Sequence, residues 1–220
     1  MTTALANPRS TGGIVVLLQQ PRDNHPFDEG VEAVKEDCET LRALEQVFFM
    51  VSGGKLDLIH NISVIDLLPY ISPKDWENMY NEADEEAVAS AFKTAQWAIA
   101  AKEPDVVLCA GKKSLPTELR HLKGDMWRLE SKAVGVNLEK YPSTTVRNRE
   151  GRWIRIRLVN GFHPSHAVNY NAESSCLRQL LFLVVAQTCA VYGMGSWKEE
   201  AWMADIRQRC SEVSRNSMLG

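Results

Sequence analysis

Apolar runs and polar intervals alternate along this chain with two different periods. Ile14-Val15-Val16-Leu17-Leu18 is a short β-branched run between Gly12-Gly13 and Pro21, and it predicts a strand buried on both faces. Val31, Val34, Cys38, Leu41, Leu44, Val47 and Phe48 recur at helical spacing over residues 30–50, and Gly53-Gly54 stops them. Residues 56–68 predict a second strand with its exit loop, ended by Pro69 and Pro73. A long helix is expected over 75–101, with Ser72 or Asp75 as N-cap and Phe92 and Trp97 on its packed face. Pro104 leads into Asp105-Val106-Val107-Leu108-Cys109-Ala110-Gly111, a third buried strand, and 115–122 predict a short helix. Segments 143–146 and 152–158 flank a turn at Asn148-Arg149-Glu150-Gly151 and predict a hairpin. An apolar helix over 173–192 is closed by Gly193, and a polar, peripheral one is expected over 199–214.

Strands alternating with helices imply an α/β fold: a three-layer α/β/α sandwich with a mainly parallel central sheet. Such sheets bind ligands at the carboxyl ends of their strands. Three loops are expected there, 19–28, 60–70 and 160–171, each polar directly after an apolar run. Strand ends are also simply where polar residues resume, so the loops alone leave a site and an ordinary surface both open.

At 220 residues the chain can bury a real core, read as a single domain over 13–214 behind a flexible segment 1–12. The net charge of −3 argues against a protein that coats nucleic acid by charge alone, but allows a local basic patch. Cys38, Cys109, Cys176, Cys189 and Cys210 include no C-x-x-C pair. They are read as reduced thiols, with no metal or iron–sulfur site and no disulfide framework. The first residues lack the basic-then-apolar order of a signal peptide, and the longest apolar run, 180–186, is too short to span a bilayer. A monomer in the nucleus or cytoplasm, with no membrane partner and no cofactor, is expected. The glycine-rich phosphate loops of nucleotide-dependent enzymes are missing.

Three segments carry a resemblance: Leu18-Gln19-Gln20-Pro21-Arg22-Asp23 with His25-Pro26-Phe27, then Leu58-Ile59-His60-Asn61-Ile62-Ser63, then Phe162-His163-Pro164-Ser165. In order and spacing they resemble the uracil-DNA glycosylase superfamily. That family has a Gly-x-x-Pro-type loop after the first strand, an Asn ending the second strand, and a His-Pro-Ser loop after the last. Residues 102–112 resemble its helix-Pro-strand-Gly segment, so the similarity runs from about Gly13 to Tyr192.

The resemblance implies a DNA glycosylase that flips a damaged or modified base, plausibly uracil, into a pocket. It assigns His163 as the donor to the base carbonyl, where charge develops as the N-glycosidic bond breaks. Asn61 would read the pyrimidine edge, Phe27 would stack on the base, and Ser165 and His166 would meet DNA phosphate, with Lys112 beside them. Ser165 also suits a helix cap, and Asn61 a turn. The departure is in the first loop. Where relatives carry a carboxylate or Asn that positions water, this chain has Gln19 and Gln20; an amide does not act as a general base, but Gln20 can still hold a water by hydrogen bonds, and Gln19 is assigned to base binding. Asp23 and Asp28 are the nearby carboxylates that could substitute, or are solvated loop acids. Leu18 also replaces the family's opening Gly.

Arg147, Arg149, Arg152, Arg155 and Arg157 crowd one hairpin, with Arg155 and Arg157 on the face of Trp153. They are either an exposed strand face or a DNA-backbone patch next to the His163 loop. Three expectations remain: an active glycosylase, a non-catalytic module of the same fold that binds nucleic acid or a protein, and an unrelated α/β domain holding a small ligand.

Overall fold

The computed structural model describes residues 11–82, 84–132, 142–168 and 175–194, and leaves aside the side chains of Phe27, 78–82, 175 and 176. The segment 1–10 and the helix expected over 199–214 lie outside the described residues. Five strands form one sheet: β1 (Ile14–Leu18), β2 (Ile62–Asp66), β3 (Val106–Cys109), β4 (Ser143–Arg147) and β5 (Trp153–Asn160). Their order is β2-β1-β3-β5-β4, and only β4, at the edge, runs antiparallel to its neighbour.

Two cores explain why the central strands read as unbroken apolar runs. On one face, Ile14, Val16 and Leu18 pack with Leu44 and Phe48 of the second helix and Val184 and Val185 of the last. On the other, Val15, Leu17, Ile65 and Val107 pack with Phe92 and Ile99 and with Met126. A side-chain period of two sends alternate residues into opposite layers, so helices cover both faces. The architecture is mixed α/β, with a mostly parallel sheet between two helical layers. Among the described residues no helix is long and apolar enough to cross a membrane.

Two expected helices are each divided. Residues 30–50 form α1 (Val31–Asp37) and α2 (Glu39–Val51), separated by an extended Cys38 at φ −105° and ψ 103°. Residues 73–102 form α3 (Pro73–Glu82) and α4 (Glu85–Lys102). The second of these starts afresh because Asp84 Oδ1 accepts from the Ala87 amide at 2.9 Å, an N-cap inside the periodic run. At the start of α3 both expected caps act together: Ser72 Oγ accepts from the Asp75 amide and Asp75 Oδ2 accepts from the Ser72 amide.

The expected strand over 56–68 shrinks to β2. Asp57 Oδ1 accepts from the amides of Ile59 and His60, and Asn61 Oδ1 accepts from the Asp57 amide, tying residues 57–61 into a turn. Local side-chain acceptors compete there with the ladder. The expected helix over 115–122 is a 3-10 segment, Thr117–Arg128, interrupted at Gly124. α5 (Ser165–Val168) and α6 (Ser175–Tyr192) follow the hairpin.

Candidate functional site

Parallel register brings four strand exits to one edge. Leu18 lies beside Asp66, Leu17 beside Cys109, and Cys109 beside Asn160. The loop after β3 crosses over the end of β1 so closely that a Cβ on Gly111 would stand 2.2 Å from the Leu18 carbonyl carbon. Only glycine fits there. Directly after β5, a Cβ on Gly161 would meet Leu108 Cδ1 at 2.8 Å and Val184 Cγ1 at 3.0 Å, so that exit is also closely packed.

Between the exits of β1, β2 and β5 lies a cavity of about 440 Å³. Its apolar wall is built from Leu18, Val34, Leu41 and Val64, and its polar groups include Gln20, Asp66, His163 and Ser165. Arg22, His25 and Glu39 also line it, and Arg22 is exposed. His25 Nδ1 lies 2.9 Å from Asp37 Oδ2, which ties the first loop to the end of α1. An apolar cavity with a few convergent polar groups is the usual form of a small-ligand site.

Asp66 is the least expected member. It ends β2 at 8% exposure, and burial pushes its carboxyl up to about 7. Near neutrality it therefore exists in both forms. The protonated acid offers one donor and one acceptor, whereas the ionised one accepts only. His163 is shifted the other way: burial, then the neighbouring His166, lower its pKa, which favours neutral imidazole. Its Nδ1 accepts from the Ser165 amide at 3.3 Å and lies 2.7 Å from Ser165 Oγ. A nitrogen that accepts from an amide carries no proton, so the proton of the neutral ring sits on Nε2.

Gln20 is oriented from behind. Lys113 Nζ donates to its Oε1 at 2.7 Å, and Gln19 Nε2 approaches the same oxygen at 3.4 Å. With that oxygen occupied, the Nε2 amide is what Gln20 can offer a ligand. Lys113 Nζ also lies 4.0 Å from the Trp76 ring centre, and burial lowers its pKa to about 8. A buried ion pair fixes this lysine's backbone. Lys123 Nζ and Glu130 Oε1 are 2.6 Å apart; Lys123 also donates to the Lys113 carbonyl, and Glu130 accepts from the Lys113 amide.

The structure gathers only part of the expected site. Gln20, His163 and Ser165 line the cavity; Gln19 contributes through its contact with Gln20. His166, exposed in α5, and Lys112, exposed in the β3 loop, lie on the same edge of the sheet. Asp23 and Asp28 are exposed and are not among the residues that line the cavity. The side chain of Phe27 lies outside the described residues.

Two placements are corrections. Asn61 precedes β2 rather than ending it, and the length of that strand, roughly 13 Å at 3.3 Å per residue, separates it from the cavity edge. Its side chain caps the 57–61 turn. Arg155 and Arg157 are not next to the His163 loop. Arg157 pairs with Val106 at the start of β3 and donates from Nε to the Asp105 carbonyl at 3.0 Å, and Arg155 hydrogen-bonds Ser143 Oγ. Both point from a part of β5 several residues before the carboxyl edge, because the strand is long.

Asp66 was the residue missed. The available signal was one carboxylate inside the run Ile62-Ser63-Val64-Ile65-Asp66-Leu67-Leu68, since acids are almost never fully buried without cause. Of the cysteines, Cys109 and Cys189 are buried with thiols pushed up to about 12, which makes them inert, and Cys38 lines the cavity.

No protein-family model matches this chain, and a search of curated proteins finds no match either.

Proposed function

We propose that this protein is a DNA glycosylase-like base binder of the uracil-DNA glycosylase type, which takes a flipped pyrimidine into the cavity between Gln20, Asp66 and His163 and hydrolyses its N-glycosidic bond. The observation that carries the reading is that these three polar groups, from three different strand exits, line one cavity with an apolar wall. A cavity of about 440 Å³ is large enough for a single base.

In this reading His163 donates from Nε2–H to a base carbonyl. The C1′–N bond breaks with its electron pair going to the base, and that donor stabilises the negative charge. Asp66 takes the part that the resemblance gives to an Asn ending the second strand. Protonated, it presents a hydroxyl donor and a carbonyl acceptor, the same pair an amide presents to a carbonyl and ring N–H of uracil. Water adds to C1′ and releases a proton to solvent. Gln20 binds through its amide N–H, and Arg22 at the rim faces the phosphate side.

A second reading has its own support. With its oxygen held by Lys113, the Gln20 amide neither takes up a proton from water nor has that oxygen free to orient it. A module that binds a flipped or free base without cleaving it follows from the same geometry.

The test is base excision from a labelled oligonucleotide bearing one uracil, extended to hypoxanthine, xanthine and 5-substituted uracils, with alkaline cleavage of abasic sites. Product that falls at least tenfold in His163→Ala supports the glycosylase. No product at micromolar protein, with free uracil still bound, supports the binding module. Neither product nor binding removes both.

A further inference from the structure

A second cleft, of about 420 Å³, lies along the edge strand β4 and shares no lining residue with the first. Arg128, Lys132 and Arg155 line it together with Trp127 and Thr144, and no carboxylate is among its described lining residues. This is a local reversal of sign, because the chain as a whole holds 28 acidic against 25 basic residues. The three cations are exposed, so they reach a ligand without desolvation of a buried charge.

Trp127 stands in the same wall at 52% exposure, unusual for so large an apolar side chain. The Arg128 guanidinium lies 5.4 Å and the Lys132 ammonium 5.8 Å from its ring centre. Both cations lie over the ring, so a base that stacks on the indole takes their place and frees them to meet its phosphates. Thr144 adds an unfilled polar group: its Oγ1 is buried and has no hydrogen-bond partner. A buried hydroxyl left unsatisfied is uncommon and is consistent with a ligand completing it.

We infer that this cleft binds single-stranded nucleic acid, with Arg128, Lys132 and Arg155 on phosphodiesters and Trp127 stacked on a base. The inference deepens the proposed function by naming where the strand runs outside the base cavity, yet it needs no base chemistry. An acidic peptide would satisfy the three cations but has no use for the exposed indole. A free phosphate would leave the indole unused.

The test uses the full chain and a fluorescein-labelled oligothymidylate of about twelve nucleotides, which carries no damaged base. Fluorescence anisotropy is read at several salt concentrations. Arg128→Glu, Lys132→Glu and Arg155→Glu combined are expected to weaken binding at least tenfold and lower the salt slope by about 2, from roughly 0.7 per lost phosphate contact on a single strand. Trp127→Ala alone is expected to weaken it about fivefold or more. Lys93→Glu, a reversal of an exposed charge outside both clefts, is expected to bind about as the parent does, and because the probe carries no uracil the binding is scored apart from any failure of excision.

Circular dichroism checks that each variant is folded; where the triple variant is not, the three single reversals are each expected to lose at least twofold. Several outcomes overturn the inference. These are no binding by the parent chain, an unchanged salt slope in the charge variants, an unaffected Trp127→Ala, or competition by polyglutamate or inorganic phosphate as effective as by unlabelled oligonucleotide.

Discussion

Lys113 donates to Gln20 Oε1 at 2.7 Å, and this bond decides the polarity of the residue that stands where a water-activating group is expected. An amide has one acceptor and one donor end, and occupying the first leaves the second for the ligand. Replacement of Lys113 by Met would leave the amide free to turn. Loss of one oriented hydrogen bond, on the order of 1 kcal/mol, predicts about fivefold weaker binding of free uracil by Lys113→Met. Lys113→Arg, which keeps a donor, should recover most of it. Titration calorimetry on the three proteins decides the point, and equal affinities would make the lysine structural only.

Asp66 gives the site a pH dependence with a definite sign. Its folded-state carboxyl sits near 7, far above the ordinary value of 3.8, so the fold favours the protonated form. The associated stability is present in full at low pH and is lost as pH rises between about 4 and 7. At about 1.4 kcal/mol per unit this amounts to something on the order of 4 kcal/mol. Urea unfolding of the wild type should weaken over that window, while Asp66→Asn stays level and is the more stable protein at pH 8.

Ligand selectivity should follow the same titration. Below 7 the Asp66 carboxyl matches a carbonyl and ring N–H together; above 7 it accepts only. Uracil binding is therefore expected to fall about tenfold from pH 6 to pH 8. In Asp66→Asn the profile should be flat. A wild-type profile that is flat as well would remove Asp66 from base recognition.

Glu130 and Lys123 form a pair that is nearly excluded from water, at 10% and 9% side-chain exposure. Glu130→Gln leaves a buried ammonium without its counter-ion, which costs roughly 3–5 kcal/mol. Chemical denaturation measures that directly. Because the pair also holds the Lys113 backbone, the variant should lose uracil affinity by about as much as Lys113→Met.

Gly111→Ala tests the crossing of the β3 loop over β1. The added Cβ would lie 2.2–2.5 Å from backbone atoms of Leu18 and Gln19, which cannot yield as a flexible side chain does. Destabilisation of about 2 kcal/mol or more is expected. A thermal midpoint equal to that of the parent would mean that the loop has room to lift.

Much of the layered fold could be read along the chain. β1 and β3 stand where Ile14–Leu18 and Val106–Cys109 announce them, because a strand buried on both faces needs an unbroken apolar run. The hairpin follows its turn residues, with Asn148 Oδ1 accepting from the Arg152 amide. Helix breaks at Cys38 and Asp84 were not legible, since apolar periodicity continues across both while one extended residue or one cap starts a new axis.

The candidate site divides along the same line. Sequence by itself determined which residue types follow each apolar run, and so offered Gln20 and His163 as loop residues at strand exits. It could not decide which polar residue flanking β2 reaches the cavity, because a turn held by Asp57 and Asn61 shortens the strand from one side only. Tertiary structure decided that Asp66, not Asn61, reaches the cavity, and that burial there sets its protonation. It also decided the partner of Gln20, ninety-three positions away in the chain. Those facts depend on strand register and on the low polarity of a packed interior, neither of which is a property of any local stretch of residues.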